Sequence, residues 1–359
     1  MAIHVRPELD AIAAYKPGRN PADLARELGL GEAVKLASNE SAYGPLPSVR
    51  ALIADASAGI NRYPDMAATD LVAALADRYS VGTDRVSVGC GSVGIYQQLL
   101  AALASPGDEV VYGWRSFEVY PILVRIAAAT AVAVPLSEQT HDLAAMAAAI
   151  TANTRMVFVC NPNNPTGTAV PRGELEKFLD SVPDDVLIVL DEAYREFVDD
   201  PEVPDGLQYA RERDNVAVLR TMSKAYGLAG LRVGYCVASP LVTEALRKVQ
   251  LPFTVSSLGQ AAAIASLGAE DELLERVKLT LVERTRVQSE LRALGVDVPT
   301  TQANFVWLPL GEQAVPFGAA CEQHGVIVRP FAGDGVRVTI GTAAENDTFL
   351  TVAKELLVR

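Results

Sequence analysis

Residues 216–238 read VAVLRTMSKAYGLAGLRVGYCVA. The segment opens and closes on short apolar runs, VAVL at 216–219 and YCVA at 235–238, with a polar, glycine-containing stretch between them. Runs this short and this rich in β-branched residues suit strands covered on both faces. The same texture recurs upstream at 86–88 (VSV), 110–112 (VVY), 131–134 (AVAV), 156–159 (MVFV) and 186–190 (VLIVL). Helical patterns lie among them at 67–79, 94–104 and 173–181. Buried strands alternating with helices predict an α/β domain with a mostly parallel central sheet sandwiched by helices.

After about residue 250 the texture changes. A long helical section over 259–295 precedes short strands at 304–308 (NFVWL), 326–330 (VIVRP) and 335–341 (GVRVTIG), and an amphipathic helix at 345–357 follows. The predicted organisation is an arm over 1–45, packing on the small domain or a partner subunit, a large domain over 46–250 and a smaller α+β domain over 251–359.

Half of the 359 residues are apolar and 21% are charged, the composition of a folded globular protein. The net charge of −13 argues against nucleic acid or an anionic membrane as partner, since both demand a basic face. A small anion would have to be met by a few placed arginines. The N-terminus reaches Asp10 early and has no apolar signal core, and the uncharged stretches at 86–107 and 249–269 are too polar for a spanning helix. Four scattered cysteines without a CxxC pair read as reduced thiols of a cytoplasmic protein. His4, His141 and His324 lie far apart and form no ligand motif, so no metal is expected.

Ligands of parallel sheets bind where strands end. VLIVL stops at Asp191-Glu192-Ala193-Tyr194, and a carboxylate there needs a helix cap or a cation to meet it. VAVL stops at Arg220-Thr221-Met222-Ser223-Lys224. A desolvated lysine in that place has the lowered pKa that Schiff-base chemistry needs, and the plainer reading is a loop lysine with its head in water. MVFVC stops at Asn161-Pro162-Asn163-Asn164-Pro165-Thr166-Gly167, a turn by composition or a rigid loop presenting amides. VSV leads into Gly89-Cys90-Gly91-Ser92-Val93-Gly94 and a helix, where free N–H groups suit a phosphate. The pattern is also G-x-G-x-x-G, but Asp108 and Glu109 precede the next strand, whereas the ribose-binding acid of a dinucleotide fold follows it.

Asn164-Pro165-Thr166-Gly167, Asp191-x-x-Tyr194 and Ser223-Lys224 with Arg232 resemble the fold-type-I aminotransferases that use pyridoxal 5'-phosphate. Over nearly the whole chain the sequence is similar to the histidinol-phosphate aminotransferase family, from KLASNESAYGP (35–45) through NRYPD (61–65) to GVRVTIGT (335–342). GWRSFEVYP (113–121), TMSKAYGLAGLRVGY (221–235) and LPFTVSSLGQAAAIASL (251–267) resemble its actinobacterial aromatic amino acid branch. Val93, Gly94 and the loop at 113–117 depart from the histidinol-phosphate pattern and are shared with that branch.

The resemblance implies that Lys224 bonds the cofactor and shuttles the substrate proton, while Asp191 keeps the pyridine nitrogen protonated. It gives the cofactor's phenolic oxygen to Asn164 and Tyr194, and the phosphate to Gly91, Ser92, Val93, Thr221, Ser223 and Arg232. Phe117 would stack on the ring, and Tyr63 would reach the phosphate of the neighbouring subunit of a homodimer. Arg337 would take the substrate carboxylate and Arg329 a distal anion, with Tyr15 and Asn39 near the substrate. From the alternation of GVRVTIG alone, Arg337 sits on the solvent face of a half-buried strand. The implied reaction is ping-pong transfer from an aromatic L-amino acid to 2-oxoglutarate, with histidinol phosphate as the alternative substrate and decarboxylation as a third possibility.

Overall fold

The computed structural model describes residues 19–357 together with Ile3, Val5, Arg6, Leu9 and Ile12. After a two-residue strand β1 (Val34–Lys35), the chain lays down β2 (Val86–Cys90), β3 (Glu109–Trp114), β4 (Thr130–Pro135) and β5 (Thr154–Cys160). β6 (Leu187–Asp191), β7 (Val216–Thr221) and β8 (Val233–Val237) follow. The last seven form one sheet in the order β2-β8-β7-β6-β5-β3-β4. β8 alone runs against its neighbours. Only a short helical turn, Ala229–Leu231, lies between β7 and β8, so no crossover helix makes the connection parallel.

Side-chain alternation divides each central strand between two layers. Val157, Val159, Ile188, Leu190, Val216 and Val218 pack in one core. Met156, Phe158, Leu187, Val189, Ala217 and Leu219 pack in the other. The second layer is closed by the helices Gly91–Leu103 and Val119–Ile126, which contribute Ile95, Tyr96, Tyr120 and Val124. Asp191 follows Val189 by two residues, so its carboxylate faces that layer. A slip of one residue in β6 would turn it to the opposite face.

Beyond the sheet, β9 (Phe305–Leu308), β10 (Val326–Ile327), β11 (Arg329–Phe331) and β12 (Gly335–Thr339) build a smaller unit. β12 is the middle strand of an antiparallel β11-β12-β9 sheet, and β10 pairs in parallel with β1. Val326, Val336, Val338 and Phe349 belong to its separate core. The long helical section is two helices, Ser257–Gly268 and Glu270–Ala293, divided at Ala269. The first sets Ala262 and Ala263 into the large core, and the second runs from Leu273 and Val277 there to Val287 and Leu291 in the small one. Among the described residues, no helix is long and apolar enough to cross a membrane.

Candidate active site

The carboxyl ends of β2, β3, β5, β6 and β7 meet the small sheet around a cavity of about 260 Å³. Because β8 is reversed, its amino end brings Arg232 to the same edge. Asn39, Ser92, Val93, Phe117, Asn164, Asp191, Tyr194, Thr221, Ser223, Lys224, Arg232, Arg329 and Arg337 all line the cavity. Tyr63 does not: it is 81% exposed and stacks on Phe253 with ring centroids 4.5 Å apart. Tyr15 lies outside the described residues.

Lys224 stands in the turn after β7, half-buried, and its Nζ donates to the Ser38 carbonyl at 3.4 Å. Burial, aided by the positive charges of Arg337 and Arg232, lowers its pKa to about 8, against the opposing pull of Glu40 and Asp191. The amine is therefore partly neutral near physiological pH, as a nucleophile must be.

Asp191, 3% exposed, receives a hydrogen bond from the Tyr120 hydroxyl at 2.7 Å on Oδ2 and one from the Ala193 amide at 3.2 Å on Oδ1. The Tyr96 hydroxyl stands 3.0 Å from both Oδ2 and the Tyr120 oxygen. Burial pushes the carboxyl above its ordinary range, and the tyrosines and the amide oppose that shift. These partners are neutral, so a bound cation would relieve the desolvated charge.

The anion cradle is built from backbone. Helix Gly91–Leu103 springs directly from β2, with Gly91 at φ +68° and its amide bonded to the Arg232 carbonyl at 3.0 Å. The amides of Ser92 and Val93 head the helix without intrahelical acceptors. A Cβ on Gly91 would collide with the Arg232 guanidinium, and one on Gly234 with the Gly91–Ser92 backbone. Arg232 holds φ +55°, a conformation costly for a side chain that is not glycine and common where function demands it. Its Nη1 donates to Ser223 Oγ at 3.3 Å, and the Thr221 and Ser223 hydroxyls are 2.9 Å apart.

Opposite this cradle, Arg337 is 8% exposed. The alternation of GVRVTIG puts it in solvent, but every residue of β12 is buried, because large-domain loops and residues 37–40 cover that face. Arg337 donates to Asn164 Oδ1 and, at 2.7 Å, to the Ala37 carbonyl, with its guanidinium 5.6 Å from the Phe305 ring and 5.7 Å from Phe331. Arg329 is its cross-strand partner and donates to Glu118 Oε2 at 2.9 Å. Asn39, at φ +53°, donates from Nδ2 to the Tyr194 hydroxyl at 2.9 Å. Phe117 meets Tyr120 edge-on at 5.6 Å.

Sequence reasoning missed Tyr96, Tyr120, Glu118 and the Ala37–Ser38 backbone. Tyr96 and Tyr120 had one available signal, polar-tipped rings on helices that open at strand ends beside the site. Nothing local marks Glu118.

The residues fit pyridoxal phosphate on three counts. Gly91, lacking a Cβ, lets the Arg232 guanidinium close against the amino end of the helix as a cation for the phosphate, the buried Asp191 has only neutral hydrogen-bond donors, and Lys224 offers an amine of lowered pKa.

Similarity to known proteins agrees with this geometry. The family described as aminotransferase class I and II matches residues 32–352. An aromatic amino acid aminotransferase of Thermobifida fusca (strain YX) is 61% identical over 351 residues, covering 98% of this chain and 96% of its own. One of Streptomyces coelicolor is 58% identical over 352 residues, covering 98% and 97%. Among solved structures, histidinol-phosphate aminotransferase from Sinorhizobium meliloti in complex with pyridoxal-5'-phosphate superposes with a TM-score of 0.90. It is 29% identical, and the match covers 99% of this chain and 98% of that one. By fold, by site and by these likenesses, the chain belongs to the aminotransferase class I and II family.

Proposed function

We propose that the chain is a pyridoxal-phosphate-dependent aminotransferase that moves the amino group of an aromatic L-amino acid to 2-oxoglutarate in two half-reactions. The observation that carries this is the convergence of Lys224, Asp191, Ser92, Val93, Arg232 and Arg337 on one cavity. Pyridoxal phosphate, when bound, supplies an electron sink that makes the substrate Cα–H acidic. Asp191 holds a proton at the pyridine nitrogen, its own charge kept by the Tyr120 hydroxyl. Arg337 presents a fork for the α-carboxylate and so fixes which face of Cα points at Lys224. With the cofactor bound, the Lys224 amine would be the base that takes the proton from the substrate Cα and the acid that redelivers it. Asn164 and Tyr194 hold the phenolic oxygen, and Ser92, Val93, Thr221, Ser223 and Arg232 hold the phosphate.

The aromatic preference is supported by the 61% identical relative and by the Phe117 and Phe331 rings in the cavity wall. The likeness to the Sinorhizobium enzyme favours histidinol phosphate as the second reading. Single-turnover rates with phenylalanine and with histidinol phosphate decide between them. Faster reaction of phenylalanine is expected, and faster reaction of histidinol phosphate overturns the aromatic assignment.

A homodimer completes this reading. Tyr63, Met66, Leu251 and Phe253 expose apolar surface that a second copy would cover. Light scattering should give twice the chain mass; a monomer at micromolar concentration would contradict it. The free thiols of Cys90, Cys160, Cys236 and Cys321 suit the reducing cytoplasm.

A further inference from the structure

Two ion pairs join one loop of the large sheet to one hairpin of the small sheet. Arg115 donates from Nε to Asp334 Oδ2 at 2.8 Å, with its guanidinium 4.6 Å from the Trp114 ring and 5.5 Å from Phe331. Three residues later, Glu118 accepts from Arg329 Nη2 at 2.9 Å. Asp334 lies in the turn of the β11–β12 hairpin, and Arg329 and Arg337 face each other across it. The two pairs differ in what surrounds them. Arg115 does not line the cavity and lies between the Trp114 ring and the cavity-wall ring of Phe331, whereas Glu118 and Arg329 both line the cavity.

The reaction proposed above makes one cavity accept two unlike ligands in turn. An aromatic amino acid brings a single carboxylate, which Arg337 receives, and an apolar ring. A five-carbon dicarboxylate brings a second negative charge and no ring. With the aromatic ligand in place, an Arg329 without a counter-ion would be a partly desolvated cation offset only by rings such as Phe331, 5.7 Å away, which is less favourable than a close ion pair. With the dicarboxylate in place, a carboxylate already on Arg329 competes with the ligand for the guanidinium and repels it.

We infer that Glu118 is a specificity-determining residue, the internal counter-ion that neutralises Arg329 for aromatic ligands and must yield it to the second carboxylate of dicarboxylic ones. Arg115 and Asp334 fix the hairpin, so the exchange is made by the Glu118 and Arg329 side chains and not by the whole sheet. This inference rests on the aromatic aminotransferase reading and goes beyond it by assigning the balance between the two substrates to one carboxylate.

The test uses holoenzyme and the isosteric variant Glu118→Gln. Dissociation constants of two unreactive acids, glutarate and 3-phenylpropanoate, are measured alongside half-reaction kinetics with glutamate and phenylalanine. Removing a partly exposed competing charge should favour glutarate over 3-phenylpropanoate by about fivefold. The kinetic counterpart is a rise in the glutamate-to-phenylalanine ratio of kcat/KM, expressed in KM and not in kcat. In an Arg329→Gln background the same substitution should leave both ratios unmoved, which a merely structural role of Glu118 would not produce. If Glu118→Gln leaves the ratios unchanged or shifts them toward the aromatic acids, the inference is overturned. So does an equal shift in the Arg329→Gln background. Should Glu118→Gln fail to fold, Glu118→Asp keeps the charge on a shorter arm and must move the ratios in the same direction. Wild-type enzyme that does not react with phenylalanine would overturn the functional reading itself, an outcome distinct from any result with the variants.

Discussion

Replacing Tyr120 by Phe removes one hydroxyl from the wall around Asp191 and leaves the ring in place. Tyr120 is fully buried, and its hydroxyl donates to Asp191 Oδ2 at 2.7 Å. A hydrogen bond to a buried charged group contributes about 1.5–3 kcal/mol, so its loss should raise the Asp191 pKa further. Burial already pushes that carboxyl up, and the substitution adds to the shift in the same direction. If Asp191 keeps the pyridine nitrogen protonated, apoenzyme affinity for pyridoxal phosphate falls by about tenfold to a hundredfold. The Tyr96 hydroxyl, 3.0 Å from the same oxygen, can take over part of the role. The single variant therefore belongs near the lower figure, and Tyr96→Phe with Tyr120→Phe near the upper one. Titration of apoenzyme with cofactor, followed by absorbance, gives the dissociation constant directly. The loss should deepen as pH falls, because protonation neutralises the weakened carboxylate first. An unchanged dissociation constant in the double variant, with the fold intact by circular dichroism, would refute this role for the tyrosine pair.

Three further predictions bear on the same cavity. With the Lys224 pKa lowered to about 8, about a quarter of the amine is neutral at pH 7.5, against about 0.1% at an ordinary lysine pKa. Capture of pyridoxal phosphate by apoenzyme should thus rise with pH and level off above about 8.5; a rate still climbing past pH 10 would contradict the lowered value. Arg337→Lys keeps the charge but loses the fork, and should lower kcat/KM for the amino donor by about a hundredfold, checked in the first half-reaction. Gly91→Ala places a Cβ against Arg232 at φ +68°, a backbone cost of roughly 1–2 kcal/mol before the clash is counted. Cofactor should leave that variant at least tenfold faster on dialysis.

The large sheet was legible because its central strands are covered on both faces and so read as unbroken apolar runs. β4 surfaced as well, although it is an edge strand with exposed residues. The direction of β8 was less visible, its one signal being the lack of a helix between Thr221 and Val233. VIVRP reads as one strand yet serves two: Val326–Ile327 pairs with β1 and Arg329–Phe331 with β12. At the site, motif residues at strand ends were recognisable because strand ends are where a parallel sheet binds ligands. Their partners were not. Tyr120 and Tyr96 reach Asp191 from 71 and 95 residues away, and Glu118 meets Arg329 across 211. No local periodicity joins residues so separated; only the folded register does. Arg337 shows the converse case, where alternation alone gave the wrong side because the covering layer comes from elsewhere in the chain.

The central claim is that Lys224 carries the cofactor in this cavity, and borohydride reduction of holoenzyme followed by peptide mass mapping tests it most directly. The account predicts one reduced pyridoxyl-phosphate group per chain, located on the peptide that contains Lys224 and missing from the Lys224→Ala variant. Label on another of the seven lysines, or a purified protein with no cofactor-derived absorbance to reduce, would contradict it.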